Sequence, residues 1–166
     1  MIGILPGRNA TRQRLILGAG VVALASVLQL ISIDLGQTFG SPWPIALLWA
    51  ACGWSKLGPN LATSFLIFML GCWVDLLTGS VLGTWAFAGL ATLGLTIASI
   101  KYLGLSGMSS VVGCAVSGFF MLVIVAAIGV WQTQSFYLLG NIVSVGVAVV
   151  LYIPLRKLFE VSEEEA

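Results

Sequence analysis

The sequence has no histidine and little charge of either sign. Without histidine, the commonest general base and the commonest metal ligand are both missing. Charged residues make up 8% of the 166 residues, against about 25% in soluble domains. So few charges cannot cover the surface of a soluble protein of this size, which leaves lipid as the expected solvent. The three cysteines, Cys52, Cys72 and Cys114, lie far apart, each in an apolar run. That spacing suggests neither a zinc site nor a disulfide framework, and buried inert thiols are expected. There are no paired carboxylates, no serine with an adjacent base and no phosphate loop. No catalytic residue, metal site, cofactor or nucleic-acid partner is expected, and the chain reads as something other than an enzyme. Ahead of the C-terminal tail the only acidic residues are Asp34 and Asp75.

What is present is apolar sequence, 59% of the chain, with a mean hydropathy of +1.08. Residues 1–14 read as a disordered basic cytoplasmic arm. Leu15 to Ile33 is an uncharged run of 19 residues, close to the roughly 20 needed to cross a ~30 Å hydrocarbon core. Ala23-Leu24-Ala25 resembles a signal-peptidase triplet, but the run continues past it, so a retained helix that also targets the chain is expected. Gly40, Pro42 and Pro44 punctuate a loop over 36–44. A short second span follows over 42–57, roughly 24 Å long as a helix, crossing thinly or partly re-entrant. Asn60 is placed to cap the third span, 61–77. Further spans are expected at 80–100, 110–130 and 137–155, the last ending at Pro154. Gly113, Ser117 and Gly118 mark a packing face on the fifth span. Trp131 to Ser135 reads as a short polar hairpin. An acidic tail, 158–166, closes the chain with Glu160, Glu163, Glu164 and Glu165, as a solvated end or as a contact for a basic cytoplasmic protein.

The fold class is therefore an all-α polytopic membrane protein, with a six-helix transmembrane domain over 15–157. With both termini cytoplasmic, all seven basic residues fall on the inner side: Arg8, Arg12, Arg14, Lys56, Lys101, Arg156 and Lys157. That split follows the positive-inside rule. Aromatic belts are expected from Trp43, Trp85, Trp131 and Tyr137 outside and from Trp54, Tyr102 and Tyr152 inside. The connections are too short to hide a soluble domain.

Residues 71–84 stand out because Asp75 sits in apolar sequence, followed by Thr78-Gly79-Ser80 and by Gly83. An intramembrane carboxylate is costly and a default functional candidate. As the 15th residue of the third span, however, Asp75 falls near the outer face, roughly 21 Å from the inner end. Two readings stay open. Asp75 is a ligand, proton-carrying or partner-helix group, or it turns the chain by accepting hydrogen bonds from the amides of Thr78, Gly79 or Ser80. Gly79 is expected at positive φ as a helix C-cap, and Gly83 as a small packing residue in the first turn of the fourth span. Trp85 joins these as a candidate structural or partner-binding residue. Gln29 and Asn141 are candidate intramembrane polar contacts, as interhelical hydrogen bonds or substrate contacts.

The stretch Gly71 to Gly83, with its Asp-Leu-Leu-Thr-Gly-Ser-Val-Leu-Gly core, resembles the bacterial rod-shape-determining MreD family, which carries Asp-Leu/Ile-x-x-Gly-Ser-x-x-Gly between two central spans. Pro42-Trp43-Pro44 and a basic residue closing the next span, as Lys101 does, are similar too. The matching core is about a dozen residues. The resemblance implies a non-enzymatic inner-membrane component of the cell-elongation machinery. Its expected partners are MreC and, through MreC, a class B penicillin-binding transpeptidase, RodA and, indirectly, MreB. It also implies a fold similar to the substrate-binding subunits of energy-coupling-factor transporters. The alternative from that similarity is a vitamin-binding subunit with Asp75, Asn141 and Gln29 around a pocket.

Overall fold

The computed structural model describes residues 6–28, 45–102, 104, 109–131 and 138–159. Every regular element among them is helical. They are α1 (Pro6–Val27), α2 (Leu47–Trp54, continued by a 3-10 turn at Ser55–Leu57), α3 (Leu61–Thr78), α4 (Thr84–Tyr102), α5 (Ser110–Trp131) and α6 (Leu138–Phe159). Four helices are long and apolar enough to cross a membrane: α3, α4, and segments Ser110–Ile128 of α5 and Gly140–Phe159 of α6. Their outward faces carry exposed Phe65, Phe87, Phe119 and Val150. Large apolar side chains turned outward on several helices are the mark of a membrane protein.

Six crossing helices were expected, and the first two differ from that expectation. α1 starts at Pro6, so most of the basic arm is helical. Proline suits the first helical position because the amide it lacks has no intrahelical partner there. Arg8, Arg12 and Arg14 thus occupy the first half of α1, and its apolar part within the described residues is Leu15–Leu28. Residues 29–33, with Gln29, lie outside the described residues. So do Asp34, the 36–44 loop with Trp43, residues 132–135, Tyr137 and the four tail glutamates.

α2 is much shorter than a span. With its 3-10 turn it rises roughly 18 Å, well short of a ~30 Å hydrocarbon core. All eight residues from Leu47 to Trp54 are buried. The helix packs on α1, α3, α4, α5 and α6 at once, as the central plug of the bundle. Trp49 Nε1 donates to the Ala148 carbonyl of α6 at 2.8 Å, and Gly118 of α5 is packed between Leu48 and Val145. Ser117 and Gly118 are buried as the packing-face expectation required, but Gly113 is half-buried and a Cβ there would meet nothing within 4 Å.

The helices at the opposite end of the chain also run on beyond the expected limits. Pro154 lies inside α6, which continues to Phe159. A proline there costs the helix a hydrogen bond, but Phe159 is fully buried against Trp49, Trp54 and Gly18 and holds the last turn in place. Leu158 and Phe159 therefore belong to the helix and not to the acidic tail. Trp54 and Tyr152 are fully buried core residues, not members of an interfacial belt, whereas Tyr102 is exposed as expected.

The packing gathers the described basic side chains at one end. Lys56 Nζ donates to Ser110 Oγ at 3.0 Å, joining the 3-10 turn to the start of α5. The end of α4 meets the same turn, and Phe159 brings the end of α6 to Trp54 and Gly18. Arg12, Arg14, Lys56, Lys101, Arg156 and Lys157 thus share one end of the bundle. The α3–α4 hairpin lies at the other.

Candidate functional site

Asn60 opens α3 as the sequence predicts, its Oδ1 accepting from the Ala62 amide at 2.9 Å. After 18 residues the helix closes on Gly79 in the left-handed region, φ 65°. Glycine adopts that conformation without a Cβ penalty, so the expected C-cap is in place. The chain then turns through Ser80 to Gly83, and α4 starts at Thr84. Ser80 was expected to begin the fourth span; instead, 80–83 form the turn.

Asp75 explains why. Its side chain is 1% exposed, and both oxygens are used. Oδ1 accepts from Ser80 Oγ at 2.6 Å and from the Trp85 amide at 2.9 Å, and Oδ2 accepts from the Gly83 amide at 2.8 Å. The Gly83 carbonyl accepts from the Phe87 amide at 2.8 Å, the first bond of α4. Gly83 is therefore the N-cap residue of α4. It has no side chain with which to cap, and the carboxylate of Asp75 arrives from α3 to do so. A helix start leaves its first amides without intrahelical partners and carries partial positive charge. Asp75 satisfies two of those amides and neutralises that charge, which is how a carboxylate stays buried in apolar surroundings.

The local-sealing reading of Asp75 holds in outline and changes in detail. The donating amides are those of Gly83 and Trp85, not those of Thr78, Gly79 or Ser80. Ser80 contributes its hydroxyl, and Thr78 Oγ1 stands 3.1 Å from Ser80 Oγ and 2.9 Å from the Val74 carbonyl. Gly83 is not a close-packing residue. Its φ is 99°, and a Cβ there would meet nothing within 4 Å. The close approach is made at Gly71, where a Cβ would fall 2.3 Å from Ala86 Cα and 2.5 Å from its nitrogen. Gly71 lies four residues before Asp75, on the same helix face. The first lets the start of α4 touch α3, and the second fastens it there. Gly71 was missed as a site residue, although that four-residue spacing was visible in the sequence.

The turn presents an apolar rim. Leu76, Val81 and Leu82 are 70%, 60% and 68% exposed, and Thr78 and Gly79 are exposed between them. Trp85 is half-buried and packs against the core. Asn141 is half-buried near the start of α6. Cys52 and Cys114 are buried, Cys72 is half-buried, and all three are free thiols. Among the described residues, no group of three metal-ligating side chains comes together. Comparison of the chain with family profiles, with curated proteins and with solved structures finds no match.

Proposed function

We propose that the chain is a non-enzymatic integral component of the bacterial cell-elongation complex. In this reading it is an MreD-like scaffold that binds MreC and helps to organise the peptidoglycan synthase pair in the inner membrane. The observation that carries the reading is the use of Asp75. The buried carboxylate of the 75–83 segment spends both oxygens on the hairpin, so it shapes a surface rather than facing a substrate. What that surface offers outward is the rim of Leu76, Val81 and Leu82, at the end of the bundle away from the basic residues. By the positive-inside rule that end faces outward from the cytoplasm, where a partner with a periplasmic body is reachable.

A substrate-binding transport subunit is the competing reading. It needs an open centre, and α2 fills the centre with eight buried residues.

Co-purification tests the proposal. The full chain and MreC are co-expressed and extracted in mild detergent. The chain is expected to retain MreC, and Leu82→Glu to lose it by tenfold or more with an unchanged melting temperature. A chain that melts normally and never retains MreC, or whose deletion leaves cells rod-shaped, sinks the reading. A vitamin found in the purified protein by mass spectrometry moves the conclusion to the transport subunit.

A further inference from the structure

The hairpin that Asp75 fastens is closed at one end only. At the Asp75 end α3 and α4 touch through Gly71. One turn further on they still pack closely, and a Cβ on Gly89 would fall 2.9 Å from Ile67 Cγ2. Further along, the face of α4 beside the start of α3 is open: Gly94 is exposed, and a Cβ there would meet nothing within 4 Å. The result is a groove of about 380 Å³ between the start of α3 and the last half of α4, within the roughly 300–1,000 Å³ of small-molecule sites. Leu90, Leu93 and Ile97 make its apolar floor, and Gly94 leaves it open.

The mouth of the groove is different in character. Lys101 and Tyr102 stand there, both exposed, with Lys101 Nζ 5.5 Å from the Tyr102 ring centroid. Among the described residues the only carboxylate is Asp75, at the far end of the bundle, so no acidic side chain among them offsets Lys101. Lys56 adds a second positive charge at the same end. Ser64, half-buried in the wall, sits one turn into α3 from the mouth. From Gly94 to Lys101 is roughly 10 Å along the helix. An apolar slot of that depth, with a polar group one turn below its opening and an ammonium at its rim, matches a lipid built in the same order: acyl chain, ester, phosphate. Basic pockets between transmembrane helices suit anionic head groups.

We infer that the α3–α4 groove binds an anionic phospholipid, its acyl chain over Gly94 and its phosphate on Lys101. The site is independent of the MreC-binding rim and stands or falls separately from it.

Native mass spectrometry of the full chain in non-ionic detergent tests this, with phosphatidylglycerol and phosphatidylcholine added in equal amounts. The wild-type chain is expected to carry at least fivefold more phosphatidylglycerol. Lys101→Gln is expected to bring the ratio near one, while Lys157→Gln, at the same end but outside the groove, leaves it unchanged. Gly94→Leu fills the slot from a position with free space around it and is expected to reduce adducts of both lipids. Lys101→Gln is an exposed change that leaves the fold intact, so it decides the matter even where Gly94→Leu does not fold. Equal binding of the two lipids by the wild-type chain overturns the proposal, as does an undiminished preference in Lys101→Gln. Displacement of phosphatidylglycerol by glycerol phosphate alone also overturns it, by making the site one for free phosphate.

Discussion

Asp75 is the residue on which the rest depends, and its energetics follow from its three partners. Hydrogen bonds to a charged acceptor contribute ~1.5–3 kcal/mol each, and the helix-start field adds ~0.3–2 kcal/mol for a negative charge. Asp75→Ala removes all of this and leaves the Gly83 and Trp85 amides unpaired in apolar surroundings. A loss of ~3 kcal/mol or more is expected, read as a fall in melting temperature in detergent. Asp75→Asn retains one oxygen, enough for Ser80 and Trp85, but turns an amide donor toward the Gly83 donor. It should fall between wild type and alanine. An Asn variant as stable as wild type would contradict the capping role. The glycines separate in the same way. Gly79→Ala forces a side chain into φ 65° and should cost ~1 kcal/mol. Gly94→Ala, in a helix interior with open space, should gain about 0.5–1 kcal/mol. Of these roles, the positive φ of Gly79 was legible in the sequence, because a glycine after an apolar run is a common helix stop. The two amide donors to Asp75 were not, because they lie eight and ten residues away, beyond the reach of local turn rules.

The helices divide into those that sequence periodicity and length describe and those it does not. α3 and α5 start and end within a residue of the expected limits, since Asn60, Gly79 and Lys101 with its following loop are local signals. α2 defeated the same reasoning. A run of apolar residues buried on every side looks the same as a thin membrane span, and only the neighbours tell a central plug from a crossing helix. α6 defeated it in the opposite direction: Pro154 is a local stop signal, overridden by the burial of Phe159 one turn later. Tertiary packing decides in both cases. The α3–α4 pair shows how sharply. Its contact at Gly71 leaves no room for a methyl group, and the obstructing atoms are Ala86 backbone, which cannot rotate away. Gly71→Ala is expected to cost ~3 kcal/mol, at the upper end for overpacking, and more than Gly79→Ala. It should also weaken the Asp75 cap, so the double variant Gly71→Ala with Asp75→Ala should lose less than the sum of the two. Thermal melts of the four proteins in the cycle measure that coupling.

At the scale of the molecule, the bundle has two unlike ends. One carries Arg12, Arg14, Lys56, Lys101, Arg156 and Lys157, and the other carries the capped hairpin and its apolar rim. The gathering of Arg12, Arg14, Lys56, Lys101, Arg156 and Lys157 at one end does not need α2 to be a full span. α2 still delivers Lys56 to the same end as Lys101 and Lys157, and what counts is the side on which the chain emerges, not the helical length between. For a bundle so polarised the positive-inside rule predicts one orientation, with the basic end toward the cytoplasm, and labelling tests it. Leu82 and Lys157 are both exposed and mark the two ends. In a Cys72→Ser background, with Cys52 and Cys114 left buried, Leu82→Cys should react with a membrane-impermeant maleimide added to intact spheroplasts. Lys157→Cys should react only after the membrane is opened. The reverse pattern would place the rim in the cytoplasm and make a periplasmic partner for it untenable. Labelling of both from one side would mean that α3 and α6 do not cross as the bundle requires. The expected pattern instead leaves the rim facing the periplasm and the lipid groove opening at the inner leaflet. One hairpin then carries both surfaces, the turn capped by Asp75 at one end and the groove over Gly94 toward the other.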